Sequence, residues 1–207
     1  MLKVLGRASS INVRKVLWTG AELGLELVHE EWGSAARPTS APEFLRLNPT
    51  GLMPVLLDAG FVLWESNTIC RYLAHRAGRD DLLPAAPAAR ARVEQWMDWQ
   101  ASELNNAWRY AYFAHVKQSP AHTDAQAIAA SVAAWNRHMQ ILDGQLAATG
   151  AYVAGDRFTL ADVVLGLATH RWRMTPIERP RLPAVGEWFE RLRERPGFLR
   201  HGDNGLP

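Results

Sequence analysis

The stretch Asn48–Leu73, NPTGLMPVLLDAGFVLWESNTICRYL, limits what this chain can fold into more than any other. Two short apolar runs, Val55 to Leu57 and Phe61 to Trp64, flank Asp58-Ala59-Gly60 and read as a β-hairpin. Pro54 has no N–H to give to a ladder, so it belongs at a strand's beginning or on an edge. A cis bond before it turns the Met53 backbone outward, with N–H and C=O offered to a ligand. After the second strand, Glu65-Ser66-Asn67 lead into an apolar helical face through Ile69 and Leu73. Ser66 reads as the N-cap, which places unpaired backbone N–H groups and the positive end of a helix at that spot. Such a place suits a carboxylate, and Glu65 beside it suits an ammonium. Together they form a receptor for the α-amino-acid end of a small molecule, with extended peptide running past Met53.

The residues before the hairpin read as alternating strand and helix. Leu2 to Leu5 is a short apolar strand ending at Gly6. From Asn12, the positions Val13, Val16, Leu17, Ala21 and Leu23 follow one face of a 3.6-residue period, and Gly24 closes that helix. Leu25 to Trp32 reads as a second strand, parallel to the first through a right-handed crossover. Gly33 to Ala41 is a loop, and Pro42 to Leu47 a short helix. The loop Arg7-Ala8-Ser9-Ser10-Ile11 therefore lies at the start of the first helix, close to where Met53 emerges.

These pieces, in this order, resemble the cytosolic glutathione transferases: Met53-Pro54 before a hairpin, Glu65-Ser66 at a helix start, and the opening Ser10-x-Asn12-Val13-Arg14-Lys15. The resemblance covers essentially the whole chain and is closest to serine-type, theta- or beta-like bacterial members. It implies an α/β thioredoxin-like N-terminal domain over residues 1–78, a linker at 79–87 and an all-α helical-bundle C-terminal domain over 88–207. It also implies that Ser10 donates a hydrogen bond to the sulfur of glutathione, a co-substrate, with Ser9 or Asn12 as alternatives. Met53, Glu65 and Ser66 would hold the tripeptide. Many relatives carry a Lys two residues before the proline for the glycine carboxylate. Here that position is Leu52, leaving Arg37, or less directly Arg7, to substitute. The loop has neither Cys nor Tyr, which points away from the cysteine and tyrosine classes.

The second half is helical. Val93, Trp96, Met97, Leu104, Ala107, Trp108 and Ala111 mark one long amphipathic helix. Ile128, Val132, Trp135, Met139, Leu142 and Leu146 mark a second, antiparallel to it. Thr159-Leu160-Ala161-Asp162 is a variant of the capping box, with Phe158 and Val163 at the staple positions. Asp162 is accordingly structural and not a catalytic base. Leu182 to Arg193 supplies a further helix. Between these, Arg171, Arg173, Arg179 and Arg181 read as a solvated basic turn in preference to an anion site. Trp108 and Tyr112, four apart on one helix face, are the candidates for lining a second-substrate pocket, with core or dimer packing as the alternative.

Composition excludes other classes. Lys plus Arg is 23 against Asp plus Glu 21, and no basic stripe interleaved with aromatics appears, which argues against a nucleic-acid partner. No apolar run is long enough to cross a membrane. The single cysteine, Cys70, rules out a disulfide framework and reads as a small buried filler, in keeping with a reducing cytoplasm. No Cys or His pair has ligand spacing, so no metal is expected. The expectation is a cytoplasmic, homodimeric glutathione transferase that detoxifies small, mostly apolar electrophiles. The alternatives are a glutathione-dependent dehalogenase, isomerase or peroxidase, or a non-catalytic binding or regulatory protein on the same fold.

Overall fold

The computed structural model describes residues 1–207. Its first half comprises β1 (Leu2–Leu5), α1 (Ile11–Glu22), β2 (Leu27–Glu30), α2 (Pro42–Leu45), β3 (Val55–Asp58), β4 (Phe61–Trp64) and α3 (Ser66–Arg76). The four strands form one mixed sheet in the order β2-β1-β3-β4, with β1 and β2 parallel and the other pairs antiparallel. This is the expected β-α-β, α, β-β-α order.

Three local expectations are corrected. The strand expected over Leu25 to Trp32 pairs only from Leu27 to Glu30. Leu25 is tied to the end of α1 by its N–H on the Gly20 carbonyl (2.9 Å), and Trp32 turns under the sheet to pack on Phe44. The hairpin turn has two residues, not three: Ala59 (φ 48°) and Gly60 (φ 94°) both take positive φ, as a type I′ connection requires. Asp58 stays in the strand opposite Phe61, held there by the Tyr72 hydroxyl and Arg76, each at 2.7 Å. Finally, α2 is a single turn, shorter than the expected Pro42–Leu47.

The second half holds α4 (Pro87–Trp99), α5 (Asn105–His115), α6 (Ala125–Thr149), α7 (Leu160–Met174), α8 (Pro183–Arg193) and α9 (Pro196–His201). The single long helix expected across Val93 to Ala111 is continuous, but Gln100–Leu104 is wound as a π-helix between α4 and α5. The Ser131 hydroxyl fastens α6 to α5 by donating to the Ala107 carbonyl (2.6 Å) and accepting from the Ala111 N–H (3.1 Å). Every residue of α7 from Leu160 to Trp172 is buried, so this helix is the axis of the helical half.

One apolar core joins the two halves, running from Leu2 and Val4 of the sheet through α1 and α3 to α7 and Phe198 of α9. Trp18 of α1 is its wedge. The indole packs at a tilt against Phe198 (centroids 4.8 Å) and Phe158 (5.8 Å), and its Nε1 donates to Glu22, which also pairs with Arg195. Glycine is required where this ring meets α7 and α9. A Cβ on Gly166 would lie 3.1 Å from the ring, and one on Gly197 2.7 Å from it.

Asp162 anchors the start of α7. The capping box with Thr159 is present, and the buried carboxylate also accepts from the Val153 N–H and Trp188 Nε1, each at 2.9 Å. Burial pushes this carboxyl up to about 6, against the pull of these donors. Asp162→Ala strands the Thr159, Val153 and Trp188 donors in the core, and thermal and urea unfolding should show a loss of about 3–5 kcal/mol. His201 of α9 gives a pH signature. Burial, and after it the charges of Arg200, His29 and Arg14, pushes its imidazole down to about 4 from 6.5. The folded state thus resists a proton that the unfolded chain accepts. Its contribution is complete above about pH 6.5 and lost as pH falls toward 4. Allowing for its partial exposure, the stability gap between wild type and His201→Gln should shift by about 1–2 kcal/mol across that window, in favour of the variant at low pH.

Candidate functional site

The site forms where three chain ends meet at the seam of the halves: the loop before α1, the turn before β3 and the start of α3. Gly6 (φ 144°) ends β1 because a Cβ there would sit 2.6 Å from Val13 and 3.0 Å from Met53. The loop then carries Ser10 to the N-cap position of α1 with extended backbone (φ −75°, ψ 124°). Its hydroxyl makes no capping bond. The first N–H groups of α1 and this hydroxyl are therefore both unspent at the mouth of the cleft. Ser9 is more exposed on the same wall, and Asn12, the second residue of α1, borders both parts of the cleft.

Across from them, the Met53-Pro54 bond is cis. The Asn48 side chain builds the approach: its Nδ2 donates to the Leu52 carbonyl (2.7 Å), and its Oδ1 accepts from the Thr50 hydroxyl (2.8 Å). The Met53 N–H and C=O have no partner within the chain. Glu65 and Ser66 differ from the expected roles in one respect. Glu65 is the N-cap residue, and Ser66 is the first residue of α3, not its cap. Glu65 sits at φ 74°, ψ 109°, a region costly for a non-glycine residue, of order 1–3 kcal/mol. This backbone leaves its carboxylate exposed and free of any ion pair, while the Ser66 and Asn67 N–H groups remain unbonded. Asn12, Met53, Glu65 and Ser66 line one cleft. An acceptor pair for an ammonium, an N-terminal cradle for a carboxylate and an open backbone for a peptide thus lie side by side.

Arg37 is not brought to this cleft. Its guanidinium pairs with Glu30 at 2.9 Å and lies 4.8 Å over the Trp32 ring. Leu52 is 65% exposed, and no cation lines the hairpin side of the cleft. Cys70 is buried behind α3 and accepts from the Thr19 hydroxyl (3.2 Å). Burial pushes its thiol up to about 11, which removes it from thiolate chemistry.

Beyond Asn12 the cleft widens into a cavity of about 280 Å³ between the loop before α1 and helices α5 and α7. Trp108 and Tyr112 are both part of the core and part of this wall, edge to face with centroids 5.3 Å apart. Arg171 belongs to the same wall. It is 5% exposed, not the solvated turn residue expected, whereas Arg173, Arg179 and Arg181 do face solvent. Burial pushes the Arg171 guanidinium down to about 10, so it stays charged at neutral pH.

A polar network runs beneath both parts, and no local sequence signal announced it. The buried Lys15 ammonium of α1 donates to Asn67 Oδ1 (3.1 Å) at the start of α3 and to Gln100 Oε1 (2.6 Å). Gln100 opens the π-helical stretch and donates on to Asn105 Oδ1 (2.8 Å), which also accepts from Trp108 Nε1 (3.0 Å). Asn67 in turn donates to the Met97 carbonyl (2.8 Å). Burial pushes Lys15 down to about 8. The π-winding is what turns Gln100 inward to meet the lysine, and such stretches recur at functional sites.

Residues 9–76 match the glutathione S-transferase N-terminal domain and residues 105–196 the glutathione S-transferase C-terminal domain. The chain is 35% identical over 202 residues to the glutathione S-transferase GstB of Escherichia coli K12, covering 97% of each. Its backbone is similar to that of the theta class glutathione S-transferase of Xanthomonas axonopodis pv. citri with glutathione bound. The TM-score is 0.92 at 38% identity, covering 100% of this chain and 99% of that one. Against the apo form of that enzyme the TM-score is 0.84. Glutathione transferase F7 of Populus trichocarpa superposes with a TM-score of 0.87 at 25% identity, each chain covered in full. With both domain signatures in order, and a relative matched almost from end to end, the chain belongs to the glutathione S-transferase family.

Proposed function

We propose that the chain binds glutathione across the junction of α1, α3 and the hairpin, and transfers its thiolate to a small electrophile in the adjoining cavity. The observation that carries this reading is the convergence of two uncapped helix starts, α1 and α3, on the open Met53 backbone. The γ-glutamyl head would set its carboxylate on the Ser66 and Asn67 N–H groups and its ammonium against Glu65. The cysteinyl backbone would pair with Met53, as an added strand does. That pose directs the sulfur toward Ser10 and the N-terminus of α1.

A free thiol has a pKa of about 8.5, and holding it mostly ionised at neutral pH means lowering that by roughly 2 units, about 2.7 kcal/mol. A hydroxyl donating to a charged acceptor contributes about 1.5–3 kcal/mol. The helix N-terminus adds up to about 1 kcal/mol. In the upper part of their range the two together reach that figure, with Ser10 as donor and no basic side chain required. Asn12 stands close enough to share the role.

Dimerisation is the second part of the proposal. The edge strand β4 leaves Phe61 (48%), Val62 (36%) and Trp64 (37%) exposed within four residues. An uncovered apolar edge strand is a pairing hazard that a partner subunit removes. A cytoplasmic, detoxifying role belongs to the same proposal, and the free thiol of Cys70 suits a reducing compartment.

In Ser10→Ala, kcat/KM should fall about 10–100-fold. The glutathione dissociation constant should move little, and the thiolate ultraviolet absorbance should appear only at a pH about 1–2 units higher. Unchanged turnover in that variant would remove the hydroxyl from the mechanism. Trp64→Arg should shift the sedimentation mass from dimer to monomer; a wild-type protein already monomeric would refute the interface.

A further inference from the structure

The cavity beyond Ser10 is far more basic than an apolar electrophile requires. Arg7, Arg109, Lys117 and Arg171 all line it, and no acidic residue does. None of the four forms an ion pair with a carboxylate of the chain. Three of them sit at the rim, where solvated charge is ordinary. Arg171 is different. Its guanidinium is buried on α7, 4.7 Å from the Trp108 ring centroid and 4.2 Å from that of Tyr112. Its side chain donates to no acceptor, and Nε is buried without a partner. The two rings soften the burial of the cation but satisfy none of its N–H groups.

A buried guanidinium without a counter-ion is costly, and proteins keep one where a ligand completes it. Its planar donor fork matches a carboxylate. The Tyr112 hydroxyl, on the same wall, is also without a partner in the chain. We infer that the second substrate is an anionic electrophile, a small molecule whose carboxylate seats on Arg171 between Trp108 and Tyr112 while its reactive carbon faces Ser10. This rests on the transferase reading above and deepens it by naming the substrate class.

The cations also solve a kinetic problem. A thiolate and a carboxylated electrophile repel one another in water, and a cavity of one sign cancels that repulsion and gathers the anion. For an aryl chloride, the thiolate gives an electron pair to the ring carbon, a C–S bond forms, the C–Cl bond breaks and chloride leaves with its electrons. Nothing is oxidised or reduced, and no proton moves.

The test is a matched pair, 4-chloro-3-nitrobenzoate against 4-chloro-3-nitrobenzamide, with each kcat/KM divided by the spontaneous rate with glutathione. The acid should be favoured about tenfold or more, and less so at high salt. Arg171→Met should bring the acid-to-amide ratio to within about twofold of unity while leaving the KM for glutathione unchanged. It should also hold or raise the melting temperature, because an uncompensated buried charge has gone; a purely structural arginine would lower it. Arg109→Gln with Lys117→Gln, on the rim, should weaken the acid preference and its salt dependence without touching the core. Equal or better use of the amide by the native protein would overturn the inference. So would a glutathione KM that rises in Arg171→Met, since the cation would then serve the tripeptide. If neither compound reacts in a glutathione-dependent way, the transferase reading itself fails and the anion site with it.

Discussion

The first turn of a helix cannot satisfy its own N–H groups, and this chain deals with that in two opposite ways. At α6 and α7, Asp124 and the Thr159–Asp162 box bond back onto the opening turn and close it. At α1 and α3 no side chain does so, although Ser10 stands in the right place. The two open ends share one cleft, with an unpaired Glu65 and an unpaired backbone at Met53 between them. A solvent-exposed helix start gains about 1 kcal/mol from a cap. Leaving two starts open at one spot is how a fold keeps donors available for an anionic ligand.

Those donors are useful only if α1 and α3 keep their relation to each other and to the helical half. The apolar side of that relation is Trp18, wedged among α1, α7 and α9. Its polar side is Lys15, which ties the first turn of α3 to the π-helical stretch of the long helix. A buried ammonium is not a source of stability in itself. Its acceptors, Asn67 and Gln100, fix the register of three helices, which an apolar contact would leave free to slide. Trp108, at the far end of the same network, is thereby held against the cavity.

Much of this was legible in the residues. Pro54 before a short apolar run, the Asp58-Ala59-Gly60 signal and the Thr159–Asp162 box each fix local geometry through covalent or hydrogen-bonding rules that act within a few residues. Where the residues mislead, the deciding contact falls outside any turn or capping rule, whether close in sequence, as for Leu25 and Arg37, or remote, as for Lys15. Arg37 has a carboxylate on β2 to pair with, Leu25 is claimed by the end of α1, and Lys15 meets partners 52 and 85 positions away. Glu65 and Ser66 stand at the expected helix start but one position out from the expected cap, because the turn preceding α3 takes an unusual backbone at Glu65. Arg171 did carry a signal. The run LADVVLGLATH is apolar except for Asp162, Thr169 and His170, which share one face, and Arg171 follows on the opposite, apolar side, where an enclosed helix buries its side chain as well.

The glycine at position 166 has a reach longer than its size. It is the point where α7 touches the Trp18 ring, so the gap between those two rods is set by a hydrogen atom. One added methyl would have to push the indole, Leu192 or both. α1 carries the indole and has Ser10 at its N-cap, and α7 carries Arg171 five residues beyond the glycine. A change at this contact would thus alter the spacing between the nucleophile's donor and the opposite wall of the cleft. In a mutational survey such a substitution would look like an active-site lesion, although it touches nothing that a substrate would meet.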